Sequence, residues 1–319
     1  MIYKNHSIYS LVFALLLIII SCETAQKVPK TSIQFEIVEN GLSQTEKKRG
    51  IENLKKRLET LGVQNVEITE RQGQKVTFTY EGNIKRPTFD KAFSVAGKLG
   101  FYEVCLEKKT LIEYLGDLRK VASDSDTLAK TADTKEDVDA LYGITFVHSR
   151  GPIFGVIPEE NIKKIRPLLE KGAFYYAAQK KHIQFLLGKK DTKGNYDVYV
   201  VYTDKNGKSA LDGSYVEAAA AEKSRYFDGY SVNIQMNEEG AKIWGKLTGH
   251  VYETRGNIAV VLDNIVYSAP GVVSGAITGG RAEIQGDFTK EEAAVLATAI
   301  RSGNIPKMEI ISVTTLKPY

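Results

Sequence analysis

The residues able to do chemistry are few and scattered. Downstream of an apolar leader stand His148, His182 and His250, none with a carboxylate, cysteine or second histidine at metal-ligand spacing, so no metal site is expected. No Gly-x-Ser-x-Gly elbow marks a serine nucleophile, and no catalytic residue is assigned. Gly240-Ala241-Lys242-Ile243-Trp244-Gly245-Lys246 copies much of a phosphate-binding loop. Leu247 occupies the position of its magnesium-binding Ser/Thr, and the segment has helical rather than loop character, so no nucleotide or other cofactor is expected. The oxygens of Ser123-Asp124-Ser125-Asp126-Thr127 lack the glycine and closing glutamate of a calcium loop and read as a solvated linker. Gly275, Gly279 and Gly280 fit a turn that needs no ligand to explain it.

Cysteine is the informative residue type. A charged start with Lys4, an unbroken apolar run Leu11 to Ile20, and Ile19-Ile20-Ser21-Cys22 form a secretory leader whose cleavage would leave Cys22 first. The sequence Ile19 to Cys22 resembles the lipobox of bacterial lipoproteins, which implies lipid on Cys22. The run falls well short of the roughly 20 residues that cross hydrocarbon, which favours processing over the alternative of an uncleaved membrane anchor, so the mature chain is expected to sit on a membrane by its lipid, on the periplasmic side of the inner or outer membrane. Cys105 is then left without a disulfide partner, and its strand-like surroundings mark it as a small buried hydrophobe. The chain has 319 residues, 43% hydrophobic and 26% charged, with a formal net charge of +4, which excludes a polycationic nucleic-acid binder.

The elements that would position any site follow from periodicity. After the leader (1–21) and a polar tether (22–30), Ile33 to Ile37 alternates as a strand, and Thr45 to Leu61 carries Ile51, Leu54, Leu58 and Leu61 on one helical face up to Gly62. Val66–Thr69 and Val76–Tyr80 are strands around the turn Arg71 to Gln74. Pro87 opens a helix with Phe89, Phe93, Ala96 and Leu99, and Phe101–Leu106 is a further strand. The order βαββαβ predicts an α+β chain with a ferredoxin-like base over 31–110. Residues 111–143 form a polar insertion, and an α+β head follows over 144–303.

In the head, Tyr196–Thr203 and Val232–Met236 read as strands, and Asn237 caps a helix from Glu238 to Leu247. Ile258–Leu262 and Ile265–Ser268 flank Asp263-Asn264, a pair suited to the positive φ of a type I′ hairpin. Thr289 caps a helix ending near Arg301 at Gly303, and 304–319 contains a strand that returns to complete the base.

Two motifs carry a resemblance. The hairpin motif is Leu262, Asp263, Asn264, Ser268, Ala269 and Pro270; the second contains Gly279, Gly280, Gly286, Phe288, Arg301, Ser302 and Gly303. Together with Met236-Asn237-Glu238-Glu239-Gly240, their order and spacing resemble the first periplasmic domain of the SecD family, an accessory subunit of the bacterial Sec translocon. The resemblance implies a non-catalytic, protein-translocation role: binding unfolded or extended exported polypeptide, Sec translocon subunits, or both. Tyr267, Pro270, Val272 and Val273, apolar groups just past the hairpin near a sheet end, are candidate peptide contacts, with core packing the favoured reading for each taken singly. Asn264 stands where that family usually has glycine, its opening Gly-Leu-Asp-Leu-x-Gly-Gly signature is absent around Ile33 to Gly41, and no membrane helices follow Tyr319. The expectation is a lipid-tethered relative without the membrane motor. A structural lipoprotein of an envelope assembly, or an envelope hydrolase or ligand-binding protein reusing the fold, remain alternatives.

Overall fold

A computed structural model describes residues 29–70, 73–113, 143–176, 179–225 and 228–316. The leader with its lipobox and Cys22, the turn residues Arg71 and Gln72, and the Ser123–Thr127 oxygens lie outside the described residues. The chain divides into two compact units, the first within Met1–Ile37, Leu61–Ile84 and Met308–Tyr319, the second within Val38–Thr60 and Lys85–Lys307.

The first unit holds a four-stranded antiparallel sheet made of β1 (Lys30–Ile37), β2 (Gln64–Glu70), β3 (Lys75–Glu81) and β16 (Met308–Leu316), in the order β16-β1-β3-β2. Strict alternation builds it: Ile33, Phe35 and Ile37 of β1 and Val76, Phe78 and Tyr80 of β3 are buried on one face. Phe35 and Phe78 meet edge to face at 5.8 Å. The late strand does return, pairing with β1 from Lys30↔Leu316 to Ile37↔Met308.

The second unit contains helices α1 (Gln44–Thr60), α2 (Arg86–Ser94), α3 (Ile162–Lys171), α4 (Glu238–Thr254) and α5 (Lys290–Ser302). Its larger sheet has nine strands: β4 (Leu99–Glu103), β5 (Thr145–Phe146), β6 (Ile153–Pro158), β7 (Phe174–Tyr176), β8 (Lys181–Lys190), β9 (Asn195–Thr203), β10 (Leu211–Asp212), β13 (Ile258–Leu262) and β14 (Ile265–Ser268). A three-stranded sheet runs β11-β12-β15, from β11 (Val216–Lys223), β12 (Tyr230–Met236) and β15 (Arg281–Phe288). Its inward residues Ala219, Val232, Ile234, Met236, Ile284 and Phe288 share a core with Trp244 and Val251 of α4 and Ala293, Leu296, Ala297 and Ile300 of α5.

Three expectations are corrected. The strand read at Phe101–Leu106 as the base's last lies at Leu99–Glu103, antiparallel to β13 and β10 in the larger sheet, and β16 takes the fourth place beside β1. Both faces of β4 are covered, Leu99 and Phe101 by one core and Tyr102, with Val104 just past the strand, by another, and alternation cannot say which sheet a strand joins. The Pro87 helix stops at Ser94, before Ala96 and Leu99, because Val95 is extended and Gly97 turns back with φ of +88°. Finally, α4 runs beyond Leu247 to Thr254, since buried Thr248 and Val251 continue its apolar stripe to a left-handed cap at Arg255.

Candidate functional site

The hairpin motif forms as its turn chemistry requires. Asp263 and Asn264 have φ of +52° and +65°, so asparagine does in this turn what glycine does in the family pattern. Asp263 also reaches out of the hairpin. Its carboxylate accepts hydrogen bonds from Ala96 N and Lys98 N, both at 2.8 Å, and its own N–H donates to Lys98 O at 3.0 Å. The motif aspartate thus moors the 95–98 loop that follows α2.

Behind that loop is a residue that the sequence motifs missed. Arg57 of α1 is 0% exposed, and its guanidinium donates to Ser302 Oγ (2.9 Å) and to the carbonyls of Ala92 (3.1 Å), Val95, Ala96 (3.1 Å), Ala299 (3.4 Å) and Gly303 (3.0 Å). One cation therefore serves the carbonyl ends of α2 and α5 together, where helix dipoles favour positive charge. Burial pulls its pKa down to about 10, opposed by the charge of Asp263, so it remains protonated at neutral pH. The one signal for it was position: Arg57 lies three residues past Leu54, on the apolar face of α1.

The second motif is architectural in the same sense. Ser302 and Gly303 are Arg57 acceptors, and Thr289 with Glu292 closes a capping box at the start of α5. Arg301 is exposed in the last turn of that helix. Gly280 is buried with φ of +65°, and a Cβ there would lie 2.7 Å from Ala241 Cβ of α4. Gly279 O accepts from Gln235 Nε2 at 3.2 Å, while a side chain at Gly286 would strike the Phe288 ring. Leu262 is a core residue, Ala269 O accepts from Asn257 Nδ2 at 2.8 Å, and the Ser268 hydroxyl is buried without a hydrogen-bond partner.

The four expected contact residues divide. Tyr267 and Val272 pack against the core, Tyr267 with its ring 5.7 Å from Phe288, and Lys189 Nζ lies over both rings at 4.4 and 4.1 Å. Pro270 is exposed, and Val273 is 88% exposed.

The remaining candidates are explained locally. The phosphate-loop look-alike lies inside α4, where its N–H groups are engaged in helix bonds and Asn237 Oδ1 caps Gly240 N at 2.8 Å. His250 Nε2 lies 3.4 Å from Glu103 Oε1, and His182 stacks edge-on against Tyr175 at 5.3 Å. Among the described residues no three His, Cys, Asp or Glu side chains gather as a metal would require. Cys105 is 1% exposed, and burial pushes its thiol up to about 11.

A hollow on the other face of the three-stranded sheet had no counterpart in the motifs. Because Val232 and Ile234 point into the core, Ser231, Asn233 and Gln235 point outward, beside Ala218 and Ala220 of β11 and Arg281 and Glu283 of β15. These residues line a cavity of about 530 Å³.

Comparison with known proteins agrees with the motif reading. Residues 186–307 match the family model described as SecDF, P1 head subdomain. The SecD subunit of the protein translocase of Syntrophobacter fumaroxidans is 35% identical over 114 residues, covering 35% of this chain and 21% of that one. That of Rhodothermus marinus is 44% identical over 88 residues, 27% and 14% of the two chains, and that of Rickettsia prowazekii 34% identical over 157 residues, 47% and 28%. The chain thus spans about a fifth or less of the length of the first two relatives. A crystal structure of SecDF in a super-membrane-facing form aligns with 97% of this chain and 35% of its own at a TM-score of 0.52 and 20% identity. A second, of a membrane component SecDF that enhances protein export, aligns with 88% of this chain and 98% of its own at a TM-score of 0.50 and 20% identity. At that identity the structures establish the fold, and the sequence matches establish similarity to the periplasmic domain of SecD, centred on its P1 head.

Proposed function

We propose, from the likeness to the periplasmic domain of SecD, that this protein is a non-catalytic, lipid-tethered accessory of protein export on the periplasmic side of a bacterial membrane. In this reading β1–β3 and β16 belong to a base near the membrane, and residues 144–303 form a head that holds exported polypeptide in an extended state. The observation that carries the reading is the P1 head match over 186–307, which contains both the hairpin motif and the glycine-bearing motif from Gly279 to Gly303. Sheet edges suit such work because main-chain hydrogen bonds bind an extended segment without demanding its sequence. Sec translocon subunits are the second partner in the proposal, and Cys22 its lipid attachment point. Pro270 and Val273, the two solvent-facing members of the expected contact set, are candidate contacts beside the hairpin.

Photocrosslinkers placed at exposed head positions during export test the reading. Capture of nascent secretory chains or Sec subunits is the expected result. Capture only of mature envelope complexes would transfer the protein to a structural role. For the anchor, Cys22→Ala should move the protein from the membrane to the soluble fraction, and unchanged membrane association would remove the lipid from the proposal.

A further inference from the structure

We infer that this protein forms a two-fold dimer through its base: the free edge of β16 pairs antiparallel with β16 of a second copy, crossing near Val313, and joins two four-stranded sheets into one of eight. The inference concerns the first compact unit and does not depend on what the head binds.

The two edges of the base sheet are built differently. On β2 the register shifts between Gln64 and Glu67, Asn65 takes a left-handed φ of +51°, and exposed Glu67 lies 3.6 Å from Lys30 Nζ. An irregular, charged edge discourages a further strand. On the other side, β16 has no partner beyond β1 among the described residues. Between Glu309 and Lys317 it reads Ile310-Ile311-Ser312-Val313-Thr314-Thr315-Leu316, with no charge and no proline, and it pairs regularly with β1 from Ser312 onward. Such an uncharged edge, rich in β-branched side chains, invites pairing unless something covers it.

An apolar row points to what covers it. Ile68, Phe78, Ile33 and Val313 are successive cross-strand neighbours from β2 to β16, so they share one face of the sheet. Phe78 and Ile33 are buried, but Val313 at the end of the row is 46% exposed, and Ile311 of the same strand is 43% exposed. A second copy crossing at Val313 sets that residue against its own counterpart and continues the row through Ile33 and Phe78 of the second copy. Charge agrees with the direction. Antiparallel crossing brings Glu309 beside Lys317 of the second copy at both ends of the seam, whereas parallel pairing in register would set like charges together. With one edge open and the other guarded, the assembly closes at two copies instead of growing into a fibre.

Cysteine crosslinking of the full chain in its membrane tests the pairing, because Cys105 is buried. Val313→Cys places two thiols beside the two-fold axis, within disulfide reach, and should give a covalent dimer on mild oxidation. Glu309→Cys, about 13 Å along the strand from the axis, should give about tenfold less or lower still. In sedimentation of the detergent-solubilised chain the parent should be dimeric. Val313→Lys, which sets like charges face to face, should raise the dimer dissociation constant by about tenfold or more with the far-UV spectrum unchanged. Glu309→Lys should also weaken the dimer, and combining it with Lys317→Glu should restore it, a rescue that simple damage to the fold would not give. A parent chain that is monomeric at every concentration, its edge covered by another segment or a different protein, would overturn the inference. Equal crosslinking at positions 309 and 313, or a dimer indifferent to Val313→Lys, would overturn it too.

Discussion

Replacing Arg57 by methionine removes the donor shared by six acceptors while keeping a similar apolar stem. The affected groups are Ser302 Oγ and the carbonyls of Ala92, Val95, Ala96, Ala299 and Gly303. Charge-assisted bonds contribute about 1.5–3 kcal/mol each when counted singly, but six on one residue do not add. Two effects reduce the net loss: the variant no longer desolvates a cation, and the carbonyls that are only partly buried regain water. Removing one member of a buried charged network costs about 3–5 kcal/mol, a large share of the stability of an ordinary domain. Trp244, the chain's single tryptophan, is 6% exposed, 5.1 Å from Phe101, and lies in the same compact unit as Arg57, so its fluorescence reports the transition. With a urea m-value of roughly 3 kcal/mol/M, the midpoint should fall by about 1–1.5 M. Arg57→Lys keeps the charge but has three donors in no fixed fork, and should recover about half of that loss. A methionine variant within about 0.5 kcal/mol of the parent, or a lysine variant no better than methionine, would refute the idea that this guanidinium holds the two helix ends.

Three further outcomes follow from the same geometry. Gly50→Ala sits inside α1, where alanine is normally favoured by about 1 kcal/mol, yet its Cβ would lie 2.5 Å from Pro306 Cδ, so the thermal midpoint should fall and a rise would contradict the packing. Cys105, buried and with its thiol pushed up to about 11, should resist iodoacetamide at neutral pH in the native protein and react fully in denaturant; peptide mass spectrometry showing equal rates would contradict its burial. Burial alone would raise the Glu39 pKa, but hydrogen bonds from Lys98 Nζ and Lys307 N and the Lys98 charge hold it below its ordinary value of 4.5. A depressed carboxylate contributes stability above that value and loses it as pH falls through the folded pKa, so Glu39→Gln should cost about 0.5 kcal/mol at neutral pH. That gap should close on acidification in paired urea melts, and one constant with pH would refute the assignment.

Much of this architecture was legible because it is written in short-range chemistry. Asp263-Asn264 between two apolar runs can hardly be anything but a tight hairpin, and Asn237, Thr289 with Glu292, and Gly303 mark helix ends through bonds that span a few residues. A late strand near 308–316 was legible from its own residues, and its return to the base was what the SecD resemblance implied. The SecD-like motifs were legible too, but not that Asp263, Gly280, Ser302 and Gly303 hold other parts of the same unit in place.

What the sequence by itself determined is therefore the set of local elements, their caps and turns, and the resemblance they carry in series. Tertiary structure alone decided which sheet Leu99–Glu103 joins, that a charged residue on α1 is buried, and that Ala218, Ala220 and Ser231 share one hollow. The physical reason is range. An alternating strand has the same pattern whichever neighbour it pairs with, and the carbonyls that satisfy Arg57 lie between 35 and 246 residues away along the chain. An arginine beside Leu54 and Leu58 looks like a snorkelling surface cation until packing brings two helix ends to it.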